Sequence, residues 1–183
     1  MTITNDAGTT TAGLTAGTWT VEPMHSEVGF SVRHLGLSKV RGRFNTFSGS
    51  VVVGADAAAS SVSAVVDLAS VDTNNEQRDA HLASTDFFNV ETHPQMQFQS
   101  TSVSEDSMVG ELTINGVTHT VEFDLELHGV AVDDYDTTRA GFSASTSIKR
   151  SDFGIDFNAP LGADGMLIGD KVEIELEIQI VPA

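Results

Sequence analysis

Six histidines are the side chains of this sequence that first suggest metal chemistry. His25 and His34 flank one apolar stretch, and His119 shares the phase of the apolar residues in another. The other three are His81, His93 and His128. A metal site needs ligands spaced to reach one ion, with a carboxylate on the same face, and no histidine pair here has that spacing. We therefore predict no metal site: His25 caps a strand, and His34 and His119 form hydrogen bonds near one end of the fold.

Covalent catalysis has few candidate groups in this chain. The absence of cysteine excludes disulfides, thiolate ligands and a thiol nucleophile. Serines are frequent, but no Gly-x-Ser-x-Gly motif places one on a nucleophile turn. The acidic pair Asp133-Asp134 falls in a predicted loop, where solvated charge is the simpler interpretation. We predict that the protein is not an enzyme and has no cofactor beyond a possible bound lipid. An enzyme that uses His119 or His34 is the alternative.

Basic residues are unevenly distributed along the chain. Four of the nine fall between positions 33 and 43, namely Arg33, Lys39, Arg41 and Arg43. They could bind an anionic or polar head group at the mouth of a cavity, or they could be outward strand charges that pair with neighbouring acids or a second subunit. We favour outward charges, because these odd positions oppose the apolar phase of Phe30 and Val32.

Arg150 and Asp152 form a second charged motif, just before Phe153-Gly154. Residues two apart lie on the same face of a strand. The spacing therefore predicts an ion pair between Arg150 and Asp152 that holds the following loop in place.

Charge and composition limit the partners of this protein. The chain of 183 residues carries 26 acidic and 9 basic residues, which give a net charge of −17. Such a surface repels nucleic acid and anionic lipid head groups over roughly 8–10 Å, so we expect no nucleic-acid partner. No window approaches the roughly 20 apolar residues of a membrane span, and the amino terminus lacks the features of a secretory signal. We expect a cytoplasmic protein without stable membrane insertion, or an envelope protein if a leader has been removed.

β-Strands are the elements that must position these groups. Val28, Phe30 and Val32 alternate with polar residues, which is the period-two pattern of a strand with one buried face. Apolar residues change phase between positions 40 and 53, which predicts a β-bulge near Thr46–Gly49. The same alternation predicts further strands over residues 61–71, 95–103, 138–150 and 171–181.

Two segments break the strand pattern. Residues 1–17 are rich in Thr, Ala and Gly and have no periodicity, which predicts a flexible tail before a single domain over residues 18–183. Residues 75–83 predict a short helix, capped by Asp72 or Asn74, that covers one end of the fold.

Asn115-Gly116 is the clearest local signal in the sequence. An Asn-Gly pair between alternating runs predicts a two-residue hairpin with a type I′ turn. This turn fixes the cross-strand pairs, which are Ile114 with Val117, Leu112 with His119, Gly110 with Val121, and Met108 with Phe123.

About eight strands in hairpin order, without a helix long enough to cover a sheet, predict an all-β fold. A closed eight-stranded antiparallel barrel with one or two short helices has the size that holds one small ligand. Several small residues share the inward phase and would leave a cavity there: Gly110, Ala144, Thr146, Ser100 and Ser102. A filled barrel or a two-sheet sandwich is the alternative.

Four motifs stand out in this order along the chain: WTVEPMHSEVGFSVRHLGLSKVRGRF, VDTNNEQRDAHLASTDFFNVETHPQMQF, LTINGVTHTVEFDLEL and IKRSDFGID. Together they resemble the motifs of the YceI-like family, whose members are lipocalin-like barrels described as polyisoprenoid-binding proteins. The likeness covers about residues 18–181, and Glu22 stands where the family more often has Asp.

The resemblance implies a lipocalin-like barrel that binds a long isoprenoid or similar amphipathic lipid in an apolar tunnel, and it implies a homodimer. We therefore predict non-enzymatic binding, transport or storage of a polyprenol or quinone. The predicted lining comprises Val28, Phe30, Val32, Phe98, Met108, Leu112, Val121, Phe123, Leu125, Phe142 and Ile148. The alternative is a stress-related interaction module with a packed barrel and no physiological ligand.

Overall fold

The computed structural model describes residues 13–159 and 167–183. Within them, eleven strands form one antiparallel sheet. The strands are β1 (Gly17–Val21), β2 (Glu27–His34), β3 (Ser38–Phe44), β4 (Phe47–Val53), β5 (Ser61–Asp67), β6 (Val71–Asp72), β7 (Gln95–Val103), β8 (Ser107–Ile114), β9 (Val117–Val132), β10 (Thr138–Lys149) and β11 (Ile168–Pro182). The helices are α1 (Glu76–Ala83) and short 3-10 helices at Pro23–His25, Ala57–Ala59, Leu68–Ser70 and Arg150–Phe153.

The sheet closes on itself because β1 pairs with β4 on one side and with β11 on the other. Three pairs of short strands each behave as one bent barrel strand: β1 with β2, β3 with β4, and β5 with β6. For example, β1 and β2 both pair with β11, while β3 and β4 pair with β2 and β1. The result is a closed barrel of eight antiparallel strands in hairpin order. This confirms the predicted fold class, and closure removes the exposed sheet edges.

The hairpin between β8 and β9 has the predicted register. All four expected pairs are present, from Ile114 with Val117 to Met108 with Phe123. Asn115 and Gly116 have φ angles of 54° and 73°, which is the left-handed region that a type I′ turn requires at both central positions. Two residues of sequence therefore fix the pairing of the strands on either side.

The apolar residues change phase where the strand is interrupted, at residues 45–46 between β3 and β4. This interruption overlaps the start of the predicted bulge at Thr46–Gly49. The N–H of Asn45 donates to the carbonyl oxygen of Ser70 at 3.1 Å, and the carbonyl oxygen of Thr46 accepts from the N–H of Asp67 at 3.0 Å. These bonds hold the bend against the neighbouring strand β5 and the turn that follows it.

Helix α1 lies over one end of the barrel, as its sequence predicts. Its cap is Asn75, whose side-chain oxygen accepts from the N–H of Arg78 at 2.9 Å. The prediction that Asp72 or Asn74 caps the helix is therefore wrong, and Asp72 instead accepts from the N–H of Asn74 at 3.0 Å. No helix in the described part of the chain is long and apolar enough to cross a membrane.

The amino-terminal segment packs on the opposite end of the barrel. Leu14, which lies in the stretch expected to be a tail, is buried in one apolar cluster with Trp19 and Ile180. The Trp19 indole N–H donates to the carbonyl oxygen of Thr15 at 2.9 Å. Residues 1–12 of the predicted tail lie outside the described residues.

Candidate functional site

The interior of the barrel is not filled. It holds a larger chamber of about 570 Å³ and a smaller chamber of about 360 Å³. Val28, Met96 and Ile174 line both chambers, so the two spaces meet at a waist formed by β2, β7 and β11. Both volumes fall within the range of small-molecule sites, roughly 300–1,000 Å³. The interior therefore differs from the packed barrel that was the alternative.

The larger chamber is apolar inside and acidic at its mouth. Its walls come from the inward faces of the barrel strands and include Val51, Val62, Phe123, Leu176 and Ile178. Its mouth reaches the loop after β4 and the turn after β7, where Asp56 and Glu105 lie. Among the described residues that line this chamber, the charged ones are all acidic: Asp56, Glu105 and Glu126.

The smaller chamber is apolar inside and basic at its borders. Strand residues such as Phe30, Val32 and Ile148 line it together with Leu82 of α1 and an aromatic group of Phe87, Phe88, Phe153 and Phe157. Its charged or titratable lining among the described residues consists of Arg33, His34, Arg78, His81 and Arg150. These side chains come from β2, α1 and the 3-10 helix after β10, so they meet only in the folded chain.

Ten of the eleven predicted lining residues border these chambers. The larger chamber is lined by Val28, Phe98, Met108, Leu112, Phe123, Leu125 and Phe142, and the smaller by Val28, Phe30, Val32 and Ile148. Val121 lines neither: it is buried within the apolar cluster that includes Phe153. Contact of these side chains with a ligand stays a prediction.

Of the small residues expected to leave a cavity, only Ala144 lines one. The others, Gly110, Thr146, Ser100 and Ser102, border neither chamber. A Cβ on Gly110 would lie 2.4 Å from the ring of Phe98, so a neighbouring aromatic ring fills the space above this glycine. A small residue in the inward phase therefore leaves space only where no larger neighbouring side chain packs against it.

The sequence predictions missed the part of the wall that β11 contributes to the larger chamber. Its alternating residues Ile174, Leu176, Ile178 and Ile180 line this chamber. Their period-two pattern is visible in the sequence. That β11 completes the wall between β2 and β10 depends on closure of the sheet, which the pairing of β11 with β1, β2 and β10 shows.

The basic cluster near β2 and β3 divides into outward and chamber-lining side chains. The Lys39 ammonium lies 2.7 Å from a Glu173 carboxylate oxygen, and it holds the pKa of Glu173 below its ordinary value. Arg43 lies 3.7 Å from Asp72. These two follow the favoured prediction of outward charge that pairs with neighbouring acids. Arg33 is exposed as well, but it borders the smaller chamber and has no carboxylate within 4.0 Å among the described residues.

Arg150 is buried and is held by backbone carbonyls. Its Nε and Nη1 atoms donate to Gly169, Ile155 and Phe157 at 2.8–2.9 Å, and Nη2 donates to Ile168 at 3.3 Å. The predicted ion pair with Asp152 is therefore wrong, although Arg150 does hold the following loop. Burial lowers the pKa of the Arg150 guanidinium, since removing water disfavours the charged form.

The histidines have separate surroundings. His25 lies 2.7 Å from Glu22 beside its turn, and His81 lies 2.9 Å from Asp86. The expectation that His119 faces the interior is wrong, because it is exposed and its ring packs edge-on against Phe153 at 5.1 Å. Within residues 13–159 and 167–183, no three His, Asp or Glu side chains are grouped to hold a metal ion.

Known proteins resemble this chain, some in sequence and some in fold. A UPF0312 protein of Staphylococcus epidermidis is 36% identical over 159 residues, which cover 84% of this chain and 91% of that protein. The crystal structure of Burkholderia cenocepacia BcnA matches with a TM-score of 0.75 and 24% identity, over 87% of this chain and 98% of that one. A polyisoprenoid binding domain from Saccharophagus degradans matches with a TM-score of 0.71 and 16% identity, over 90% and 98%.

A family model provides the remaining comparison. The model for the YceI-like domain matches residues 19–180, which span the whole barrel from β1 to β11. The match therefore includes every strand that lines the two chambers. This chain belongs to the YceI-like domain family.

Proposed function

We propose that this protein binds and carries an amphipathic isoprenoid lipid, of the polyprenol or quinone type, inside its barrel and catalyses no reaction on it. The observation that carries the proposal is the pair of chambers that meet at the waist of Val28, Met96 and Ile174. Two apolar spaces in series suit a chain-like molecule better than a compact one. The description of the Saccharophagus degradans protein of the same fold as a polyisoprenoid binding domain supports the proposal.

Desolvation supplies the affinity in this proposal. Burying one methylene is worth about 0.8 kcal/mol, so a prenyl chain that fills both chambers gains affinity without a specific polar contact. Aliphatic and aromatic side chains dominate both linings, which is what such binding requires. A carrier role needs no nucleophile. Of the two residues of the enzyme alternative, His119 lies outside both chambers and His34 borders the smaller one.

Two measurements test this proposal. Mass spectrometry of an organic extract of native protein is expected to recover an apolar chain lipid in near-stoichiometric amount. Purified, delipidated protein is expected to bind polyprenols or isoprenoid quinones in titrations. If neither measurement detects a bound lipid, the proposal is contradicted.

A homodimer is a separate part of the prediction, and sedimentation velocity decides it.

A variant that fills the larger chamber tests whether the ligand binds there. Ala144 lines the larger chamber and stands beside Leu125 and Leu176 in the sheet. We expect Ala144→Phe to weaken lipid binding at least tenfold without lowering the melting temperature, because the new ring enters empty space. Ser145→Phe is the matched control, since Ser145 is the exposed neighbour on the same strand. Equal affinity in Ala144→Phe and wild type would contradict binding in this chamber.

A further inference from the structure

Charge is separated between the two chambers of the barrel. Among the described residues, the charged side chains that line the larger chamber are acidic, whereas those that line the smaller chamber are Arg33, Arg78 and Arg150. This separation occurs in a chain with 26 acidic and only 9 basic residues. An interior with opposite charge at its two ends distinguishes the two ends of a bound chain.

The three arginines of the smaller chamber are not neutralised by close carboxylates. Within the described residues, Arg33, Arg78 and Arg150 have no carboxylate within 4.0 Å, and the same is true of Arg41 and Lys149 outside both chambers. The other four cations, Lys39, Arg43, Arg139 and Lys171, each lie within 4.0 Å of a carboxylate and also lie outside the chamber. The nearest balancing charges of the chamber arginines include Asp170 and Asp156 near Arg150, and His81 is already paired with Asp86.

Donor groups remain on these arginines. A guanidinium has five N–H donors, and the bonds from Arg150 to four backbone carbonyls leave one Nη2 hydrogen. Arg78 uses Nε and Nη2 on Thr73, at 2.8 Å and 2.6 Å, which leaves its Nη1 group free of described partners. These bonds hold both side chains in place at the border of the chamber and leave the remaining donors without a described partner.

We propose that the preferred ligand is an anionic member of this lipid class, with a phosphate or carboxylate head group. The head group lies in the smaller chamber, beside Arg33, Arg78 and Arg150, and the hydrocarbon chain passes the waist into the larger chamber. This inference rests on the proposed function and adds the charge and the direction of the ligand. Charge-assisted hydrogen bonds from arginine suit such anions.

Paired ligands test the charge of the head group. Calorimetric titration of delipidated protein with geranylgeranyl monophosphate and with geranylgeraniol compares one chain with two head groups. We expect the phosphate to bind at least tenfold more tightly, with an advantage that shrinks in high salt because Arg33 and Arg78 are exposed. Alcohol binding without a preference for phosphate would overturn this inference and leave the proposed function standing. Binding of neither ligand would overturn both.

Matched variants locate the anion. Arg78→Gln is expected to reduce the ratio of phosphate affinity to alcohol affinity at least threefold. Arg41→Gln is the control, because it removes the same charge from an exposed position outside both chambers. An equal loss in Arg41→Gln would show general electrostatic attraction and overturn the inference.

A photoreactive ligand tests the direction of the chain. A prenyl phosphate with a benzophenone at its hydrocarbon end is expected to label the larger chamber, with Met108 and Phe123 among the modified residues. Labelling confined to Phe87 and Phe157 of the smaller chamber would place the chain the other way and overturn the proposed direction.

Discussion

Arg150 illustrates how one side chain can both hold a loop and border a cavity. It continues the inward phase of Ala144 and Ile148 along β10, so its side chain enters the barrel end instead of the solvent. The carbonyls of the following loop and of β11 then surround its guanidinium. A buried cation is tolerated here because most of its donors have acceptors.

Arg150→Met is expected to lower the free energy of unfolding by about 3 kcal/mol or more, because several carbonyls lose a charged donor. Asp152→Asn is the control, since Asp152 is exposed and does not contact Arg150. We expect this control to stay within about 0.5 kcal/mol of wild type. Urea unfolding measures both values. A larger loss of stability in Asp152→Asn than in Arg150→Met would contradict this prediction and support the ion pair that the sequence suggests.

Gly42 is a residue whose lack of a side chain shapes the smaller chamber. It stands opposite Phe30 in the sheet, and a Cβ on Gly42 would lie 2.4 Å from the Phe30 ring. We expect Gly42→Ala to push this ring into the chamber and to cost about 1–3 kcal/mol of stability through overpacking. Lipid affinity is expected to fall with it.

Gly29→Ala is the matched control for Gly42→Ala on the neighbouring strand. The nearest atoms to a Cβ on Gly29 lie at 3.5 Å, which is ordinary contact. This variant is expected to be neutral or more stable by about 0.4–1 kcal/mol, because alanine reduces the entropy of the unfolded chain. Chemical denaturation measures the free energy of unfolding of both variants. A larger loss in Gly29→Ala than in Gly42→Ala would contradict the prediction.

At the scale of elements, the hairpin between β9 and β10 is fixed by one carboxylate. Asp133 accepts from the N–H groups of Tyr135 and Thr137 at 2.8 Å and 3.0 Å, and from Nε of Arg139 at 2.7 Å. The Arg139 hydrogen bond and these backbone donors hold the pKa of Asp133 below its ordinary value of 3.8. The turn is therefore tied to the ionised form of this side chain.

This lowered pKa gives a pH dependence with a definite sign. The folded state binds the Asp133 proton more weakly than the unfolded state, so its stabilisation is present above the unfolded pKa and disappears as pH falls through the folded value. We expect Asp133→Asn to be less stable than wild type near neutral pH, with a difference that shrinks as pH falls below the ordinary value of 3.8. Asp134→Asn removes the same charge from the exposed neighbour. Thermal melts across pH measure the difference in melting temperature between Asp133→Asn and wild type. A difference that grows in acid would contradict this prediction.

At the scale of the whole molecule, an acidic surface encloses a partly basic interior. The net charge of −17 implies repulsion among surface carboxylates. Salt screens such repulsion over distances beyond roughly 10 Å at 0.1 M. Within residues 13–159 and 167–183, opposite charges pair closely at a few sites such as Lys39 with Glu173 and Arg139 with Asp133.

Sodium chloride is therefore expected to raise the melting temperature between 20 mM and 0.5 M. Differential scanning calorimetry measures this shift, with choline chloride as a second salt that separates screening from specific sodium binding. Equal shifts in the two salts support screening. A fall in melting temperature with salt would show that the close ion pairs outweigh the general repulsion.

The sequence alone determined the local structure of this protein. Period-two alternation specifies strands because one face of each must be buried, and Asn115-Gly116 sets the register of β8 and β9 because few other residues adopt positive φ twice. Ten of the eleven predicted lining residues border a chamber because inward phase is a local property of each strand.

Tertiary structure decided what occupies the enclosed space. Phe98 covers Gly110, carbonyls of the next loop surround Arg150, and Arg33 and Arg78 meet at one chamber from different elements. Each of these outcomes depends on contacts between residues far apart in the chain, which strand periodicity does not encode. Closure of β1 on β11 brings those residues together, and with them the two chambers and their opposite charges.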